Sequence, residues 1–339
     1  MNDKINILSI ESSCDDTAAA VISDGFVLSN VIANQEIHKQ YGGVIPEAAS
    51  RAHQANIIPV VHQALMKAKI AKENITAVAY TRGPGLLGSL LVGSSFAKAF
   101  ALAMNIPLIE INHMQAHILS HYILEDEKVP PAFPFLCLTV SGGHTQIVLV
   151  KDYFVMEIIG ETTDDAAGEA FDKIAKTLGL PYPGGPFVDK FAKLGNATRF
   201  QFTHPNVPNY DYSFSGLKTA VLYLVRDGIK ADSDFIATHL NDICASAQKT
   251  IVDILIKKLK KAAKDLNINE IALAGGVSAN SGLRNAMLQL GADNGWRVHI
   301  PKFEYCTDNA AMIGIAGYIK YLKNDFSTQD VAAKARLSF

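Results

Sequence analysis

Two stretches of this chain begin in the same way, and that repetition limits the possible folds more than any other feature. Residues 5–23, INILSIESSCDDTAAAVIS, are an apolar β-rich run, a polar turn at Cys14-Asp15-Asp16-Thr17, and a second apolar run. Residues 134–150, PFLCLTVSGGHTQIVLV, repeat the pattern around Ser141-Gly142-Gly143-His144, with hardly any shared sequence. Alternating elements follow each opening. Ile57, Ile58, Val61 and Leu65 recur at helical spacing and predict a helix over 48–68. AVAYTRGPGLLGSLLVGSSFAKAFALAM predicts a strand, a Gly-Pro-Gly turn and a long apolar helix. PLIEI is a strand, and Asn112 is the expected N-cap of a helix from His113 to about residue 123. In the second half, residues 164–247 look helical, with loops at YPGGP and NVPNYDYSFSG. IALAG is then a strand, Gly275-Gly276 a turn, and a helix starts near Asn280. RVHIP is a strand, and the last helix spans about 309–321. A duplicated α/β fold accounts for this order. At 339 residues the chain exceeds a single core, so two lobes around a cleft are expected. They are an N-terminal α/β lobe over 1–109 and a C-terminal α/β lobe over 110–339. The second carries a helical insertion, and its final helix returns to the first.

Composition removes several classes of function. Apolar residues make up 49% and charged residues 19%, too apolar for a disordered chain. Net charge is −2, so bulk charge does not advertise a nucleic-acid binder, although a local patch could act within it. Cys14, Cys137, Cys244 and Cys306 are scattered without CxxC spacing, which fits reduced thiols rather than a disulfide framework or a cysteine-ligated zinc. The apolar start meets Glu11, Asp15 and Asp16 too soon for a signal peptide. The most hydrophobic stretch, 86–109, is broken by Ser89, Ser94, Ser95, Lys98 and Asn105, and predicts a buried helix and a strand rather than a membrane span. A cytoplasmic protein is expected.

Three turns after apolar strands could cradle an anion: those at 12–16, 141–145 and 275–278. Glycines there let backbone N–H groups approach a phosphate. One such turn alone is ordinary; three in a duplicated fold point to a nucleotide. His113 and His117 lie one helical turn apart and can share a divalent ion, but HMQAH lacks the glutamate of HExxH. Two polar residues on a half-buried helix are the alternative. His121 lies about 12 Å along the same helix from His113 and is expected at the periphery or the surface. Asp308 could supply a third ligand or simply cap the last helix. Lys257, Lys258, Lys260, Lys261 and Lys264 fit the solvated face of a helix, with RNA binding as the lesser alternative.

GGVIPEAASRAH, YTRGPGLLGSLLVG, INHMQAH, SGGHTQIV, DDAAGEAFDKIAKTLGLPYPGGP, YDYSFSGLKTA, AGGVSAN and CTDNAAMIG occur in this order across nearly the whole chain. Together they closely resemble the bacterial TsaD (Gcp) family. The resemblance implies the duplicated actin-like ATPase, sugar-kinase and Hsp70 fold. It also implies transfer of threonylcarbamoyl from threonylcarbamoyl-AMP to N6 of adenosine 37, in tRNAs reading codons that begin with A. It assigns one divalent metal per subunit, Fe2+ ahead of Zn2+, to His113, His117 and Asp308. The acyl-adenylate falls to Thr139, Val140, Ser141, Gly142 and Gly143, and to Asp172, Gly185, Asp189 and Asn280. Thr139 departs from the commoner apolar residue, a small change if the contact is through backbone.

The residue types suit that chemistry. An exocyclic adenine amine is a poor nucleophile, so positioning and charge stabilisation must supply most of the acceleration. Two imidazoles and a carboxylate leave a metal open positions for substrate oxygens. Glu11, Asp15 and Asp16 are equal candidates for the general base. A metallopeptidase would need the missing glutamate, and a kinase would hold Mg2+ through carboxylates and water. A nucleotide-switched scaffold would leave HMQAH without a task. The family resemblance further implies the companion proteins TsaB and TsaE and a TsaC-type synthase that supplies the adenylate. The apolar helix after Gly88 is one candidate docking surface, and no membrane partner is expected.

Overall fold

The computed structural model describes residues 4–34, 43–125 and 129–339. Gly42 of the first quoted motif, and residues 126–128 of the polar connector before the second half, lie outside the described residues. The chain forms two compact units, Met1–Pro130 with Lys302–Phe339, and Pro131–Pro301.

The first unit opens with β1 (Asn6–Glu11), β2 (Thr17–Ser23) and β3 (Phe26–Ala33), a meander joined by tight turns. Helix α1 (Pro46–Ala68) starts with a proline, whose missing N–H costs nothing at that position. Then come β4 (Ala77–Gly83), α2 (Leu87–Met104), β5 (Leu108–Asn112) and the short helix α3 (His113–Leu119). The sheet order is β3-β2-β1-β4-β5, with β1, β4 and β5 parallel and β2 antiparallel to both neighbours. Every residue of β1 and β2 is buried, so both run apolar without alternation. Leu8, Ile10, Val78 and Tyr80 pack with Ile57 and Val61 of α1 and Ala97 of α2. By length and composition α2 could cross a membrane, but it lies against α1 and β4 within this unit.

The second unit repeats the plan. β6 (Phe135–Val140), β7 (Thr145–Asp152) and β8 (Val155–Glu161) form the meander. Helices α4 (Ala167–Thr177), α5 (Gly185–Ala192), α6 (Ser215–Ala231) and α7 (Phe235–Asp265) follow, then β9 (Glu270–Ala274), α8 (Ser281–Asn294) and β10 (Arg297–His299). The order β10-β9-β6-β7-β8 matches the first sheet strand for strand. The last helix, α9 (Ala310–Leu322), packs on β1, β2 and β4, and Ser9 Oγ donates to the Ala310 carbonyl at 2.7 Å.

The units divide at Pro130 rather than after residue 109. β5 pairs with β4, and α3 follows it directly, so a cut at 109 would split an element from its sheet. Helix α3 ends at Leu119, short of the expected 123, and passes into a 3-10 turn at Ser120–Tyr122. There the Ser120 hydroxyl donates to the His117 carbonyl at 2.7 Å and competes with helical continuation. Among the lysines, Lys258 differs from the expected solvated face. Its ammonium donates to the carbonyls of Val207, Pro208 and Asn209 at 2.6, 3.3 and 2.9 Å. All four cysteines are free.

Candidate active site

In the first unit a single asparagine turns strand into helix. Asn112 ends β5, and its Oδ1 accepts from the amides of Met114 and Gln115 at 2.9 and 3.2 Å. The helix therefore starts at once, and His113 and His117 stand one turn apart, ring centroids 4.7 Å apart and edge to face. Asp308 comes from the loop before α9. It is not the cap of that helix, because Asn309 caps it through Met312 N at 3.0 Å. Asp308 Oδ1 lies 3.1 Å from His117 Nε2 and 3.4 Å from His113 Nε2. A metal held at about 2.1 Å has ligand–ligand edges of about 3.0 Å in octahedral and 3.4 Å in tetrahedral geometry, so the donor set fits a divalent ion. The ligand atoms of all three residues lie within 4.8 Å of one another.

A second layer holds the first. Glu11 is fully buried at the end of β1. It accepts from Ser13 N and Thr81 Oγ1 at 2.5 Å each, and its Oε2 lies 3.0 Å from His113 Nδ1. Ser13 Oγ is 3.2 Å from the same nitrogen. Both oxygens of Glu11 are therefore engaged, and a carboxylate so placed would fix the tautomer and orientation of a metal-binding imidazole. Burial opposes charge on Glu11, but His113 outweighs it and holds the carboxyl below its usual range. Burial likewise opposes charge on Asp308, and the two imidazoles hold it well below the carboxylate range. His113 is raised well above its ordinary value: burial lowers it, and Glu11 and Asp308 more than compensate. Asp16 is half-buried and pushed up to about 7, first by burial, then by Asp15, Asp308 and Glu11. His121 is buried in the 3-10 turn, outside the triad. Glu11 had a signal in the sequence, a carboxylate closing an otherwise apolar strand; Ser13 and Thr81 had none.

The second unit gathers the other assigned residues. Thr139 and Val140 are wholly buried in β6 and offer the turn only their backbone. Ser141 N donates to the His144 carbonyl at 2.8 Å, so that amide is already committed. Gly142 and Gly143 are exposed, a Cβ at either would meet nothing within 4 Å, and their amides make no hydrogen bond among the described residues. Beside this turn Gly275 has φ +86°, and a Cβ there would sit 2.5 Å from the Val140 carbonyl oxygen. Asp172 Oδ1 accepts from Gly184 N at 2.7 Å, one residue before Gly185 opens α5. Burial raises Asp172, against the lowering effect of the Gly184 and Gly185 amides. Asp189 Oδ1 accepts from Ser281 N and Oγ at 3.2 and 2.7 Å. Asn280 caps α8 through Leu283 N at 3.0 Å, and its Nδ2 donates to Gln248 Oε1 at 2.7 Å. Gln248 and Ser281 were not foreseen; each acts through a neighbour thirty-two or more residues away.

Twin sheets of one strand order, each with a turn-bearing meander and covering helices, define a duplicated α/β protein of the actin-like ATPase, sugar-kinase and Hsp70 type. Solved structures share this fold. HypF of T. kodakarensis superposes with a TM-score of 0.64 over 98% of this chain and 50% of its own, at 15% identity. Component A of (R)-2-hydroxyglutaryl-CoA dehydratase from Acidaminococcus fermentans gives 0.51 over 94% and 99%, also at 15%. At the level of sequence, the family model TsaD, tRNA N6-adenosine threonylcarbamoyltransferase, matches residues 26–315. Relatives of that description are 63% identical in Christiangramia forsetii, over 99% of both chains, and 61% identical in Phocaeicola vulgatus, over 98% of both. The chain belongs to the TsaD family and is a tRNA-modifying transferase, a tRNA N6-adenosine threonylcarbamoyltransferase.

Proposed function

We propose that the chain takes threonylcarbamoyl from threonylcarbamoyl-AMP and transfers it to N6 of adenosine 37, in tRNAs reading codons that begin with A. The reaction is a metal-assisted acyl transfer in the cytoplasm. The observation that carries this reading is the triad of buried His113 and His117 with half-buried Asp308, and Glu11 behind it, a donor set that fits a metal. Those three residues hold the ion, Fe2+ ahead of Zn2+, which when bound supplies Lewis acidity for acyl transfer.

The protein's own groups do the rest. The unengaged amides of Gly142 and Gly143 bind the phosphate of the adenylate, and the backbone of Thr139, Val140 and Ser141 places them there. Asp172, Gly185, Asp189 and Asn280 shape the remainder of the nucleotide site. Its phosphate is the leaving group, so donors aimed at it stabilise the charge it regains. Of the three candidate bases, Glu11 is committed to His113, Ser13 and Thr81. Asp15 and Asp16 are the remaining carboxylates of the β1–β2 turn that can accept the proton the N6 amine gives up.

The near-neutral total charge argues that tRNA capture needs companions, TsaB and TsaE, with a TsaC-type synthase supplying the adenylate. Leu87, Leu91 and Leu102 of α2 are exposed and form the apolar surface proposed for docking. The test combines the chain, its companions, threonine, bicarbonate, ATP and unmodified tRNA, followed by nucleoside mass spectrometry. Threonylcarbamoyladenosine at position 37 is expected. Its absence while the adenylate accumulates would overturn the reading, and efficient multiple turnover by the isolated chain would remove the companions from it.

A further inference from the structure

The residues after α9 make few core contacts yet run beside the metal site. From Ser327 to Phe339 most side chains are exposed, and only Ser327, Val331, Ala333, Leu337 and Phe339 are half-buried. Hydrogen bonds hold the segment instead. Ser327 N donates to the Leu108 carbonyl at 2.7 Å, and Ser327 Oγ accepts from Glu110 N at 2.9 Å, fastening the segment to β5. Lys98 Nζ donates to the Val331 carbonyl at 2.5 Å and Arg82 Nε to that of Ala332 at 3.1 Å. Lys334 N donates to the Arg82 carbonyl at 2.9 Å, and the Ala335 carbonyl accepts from Gly85 N at 3.1 Å. The approach is so close that a Cβ on Gly83 would lie 2.0 Å from the Lys334 oxygen.

Two routes lead from this segment to His113. The Ser338 carbonyl accepts from Asn112 Nδ2 at 3.2 Å, and Asn112 is the cap that starts α3. The Pro84–Leu86 turn, held by Ala335 on one side, donates from Leu86 N to the Ser13 carbonyl at 2.7 Å, and Ser13 Oγ touches His113 Nδ1. We propose that Ser327–Ser338 is a strap that positions the metal-site helix, with Asn112 as the residue through which it acts. The inference rests on the metal assignment above. A segment held by hydrogen bonds with little core can open at low cost, so the strap also gives a place where site order can be changed without unfolding the sheet.

Two variants of the full chain test it. Deleting residues 336–339 removes the Ser338 carbonyl. Asn112→Asp keeps a capping oxygen for Met114 and Gln115 but loses the donor to Ser338. Each should speed amide exchange of Met114–Leu119 in metal-free protein, and weaken Zn2+ binding in competition with a chromophoric chelator, by roughly five- to tenfold, the worth of one hydrogen bond. The two together should do no more than either alone, and β1 and β4 amides should stay protected as in the unaltered protein. Unchanged exchange in both variants, additive effects, or equal loss across β1 and β4 would each overturn the strap. If the deletion does not fold, Asn112→Asp decides alone. If the unaltered protein binds no Zn2+, the metal assignment fails, and exchange in α3 still decides the strap.

Discussion

The β1–β2 turn of the first unit and the β6–β7 turn of the second occupy the same place in the same topology, yet they are built for opposite charges. In both, a glycine after the matching later strand presses on the turn region. A Cβ on Gly85 would lie 2.4 Å from the Ser13 carbonyl oxygen, and one on Gly275 would lie 2.5 Å from that of Val140. In the first unit the space is filled with carboxylates: Glu11 is buried, and Asp15 and Asp16 follow it. That turn can orient an imidazole and favours a cation. In the second, Gly142 and Gly143 leave amides open and no side chain in the way, which favours an anion. Topology fixed where each turn sits, and a few side chains fixed what it can hold.

Losing the triad should have the largest effect. His117→Ala, Asp308→Ala and the double variant should each reduce transfer by on the order of 10³-fold, and about equally, because each removes the same charge stabilisation. AMP binding to the second unit should be unchanged by calorimetry; a parallel loss there would mean that the units do not divide the work. Glu11→Gln should keep the metal but weaken it about 10- to 100-fold in chelator competition, as expected for a group that orients a ligand.

Proton competition sharpens the same contrast. His113 in the metal-free protein is raised well above its usual value, so it is protonated near neutrality and must lose that proton to bind metal. Metal affinity should therefore rise by about tenfold per pH unit across neutrality, until pH passes the raised value. Nucleotide binding should not follow it. The smallest effects fall in the second unit. Gly275→Ala places a side chain at positive φ and against Val140, and should cost roughly 1–3 kcal/mol in chemical denaturation. Asn280→Ala loses its cap and should cost about 1 kcal/mol. Both should keep full metal occupancy.

Much of this was legible in the sequence because it is local. The strand–turn–strand opening of each meander, the long helices and the turn at Asn112 follow from apolar runs and capping residues within a few positions, whereas the third strands, β3 and β8, were not read there. The pairing of His113 with His117 is helical spacing alone. What sequence could not supply is contact over distance. Spacing left Asp308 as either ligand or cap, and in the structure the cap is Asn309. Glu11 was indistinguishable from Asp15 and Asp16 until Thr81 and His113, from other strands and helices, were seen to saturate it. The unit boundary was displaced because strand pairing, not composition, decides where β5 belongs. Ser120 shortened α3 through a side-chain bond that periodicity does not register.

If the proposed assignment holds, His113, His117 and Asp308 form one metal site in the first unit. Elemental analysis of the purified chain and of its Asp308→Ala variant, with thermal melts on both, tests it directly. A stoichiometric divalent transition metal is expected in the unaltered chain and none in the variant, which should still fold. Full metal occupancy in a folded Asp308→Ala protein would contradict it.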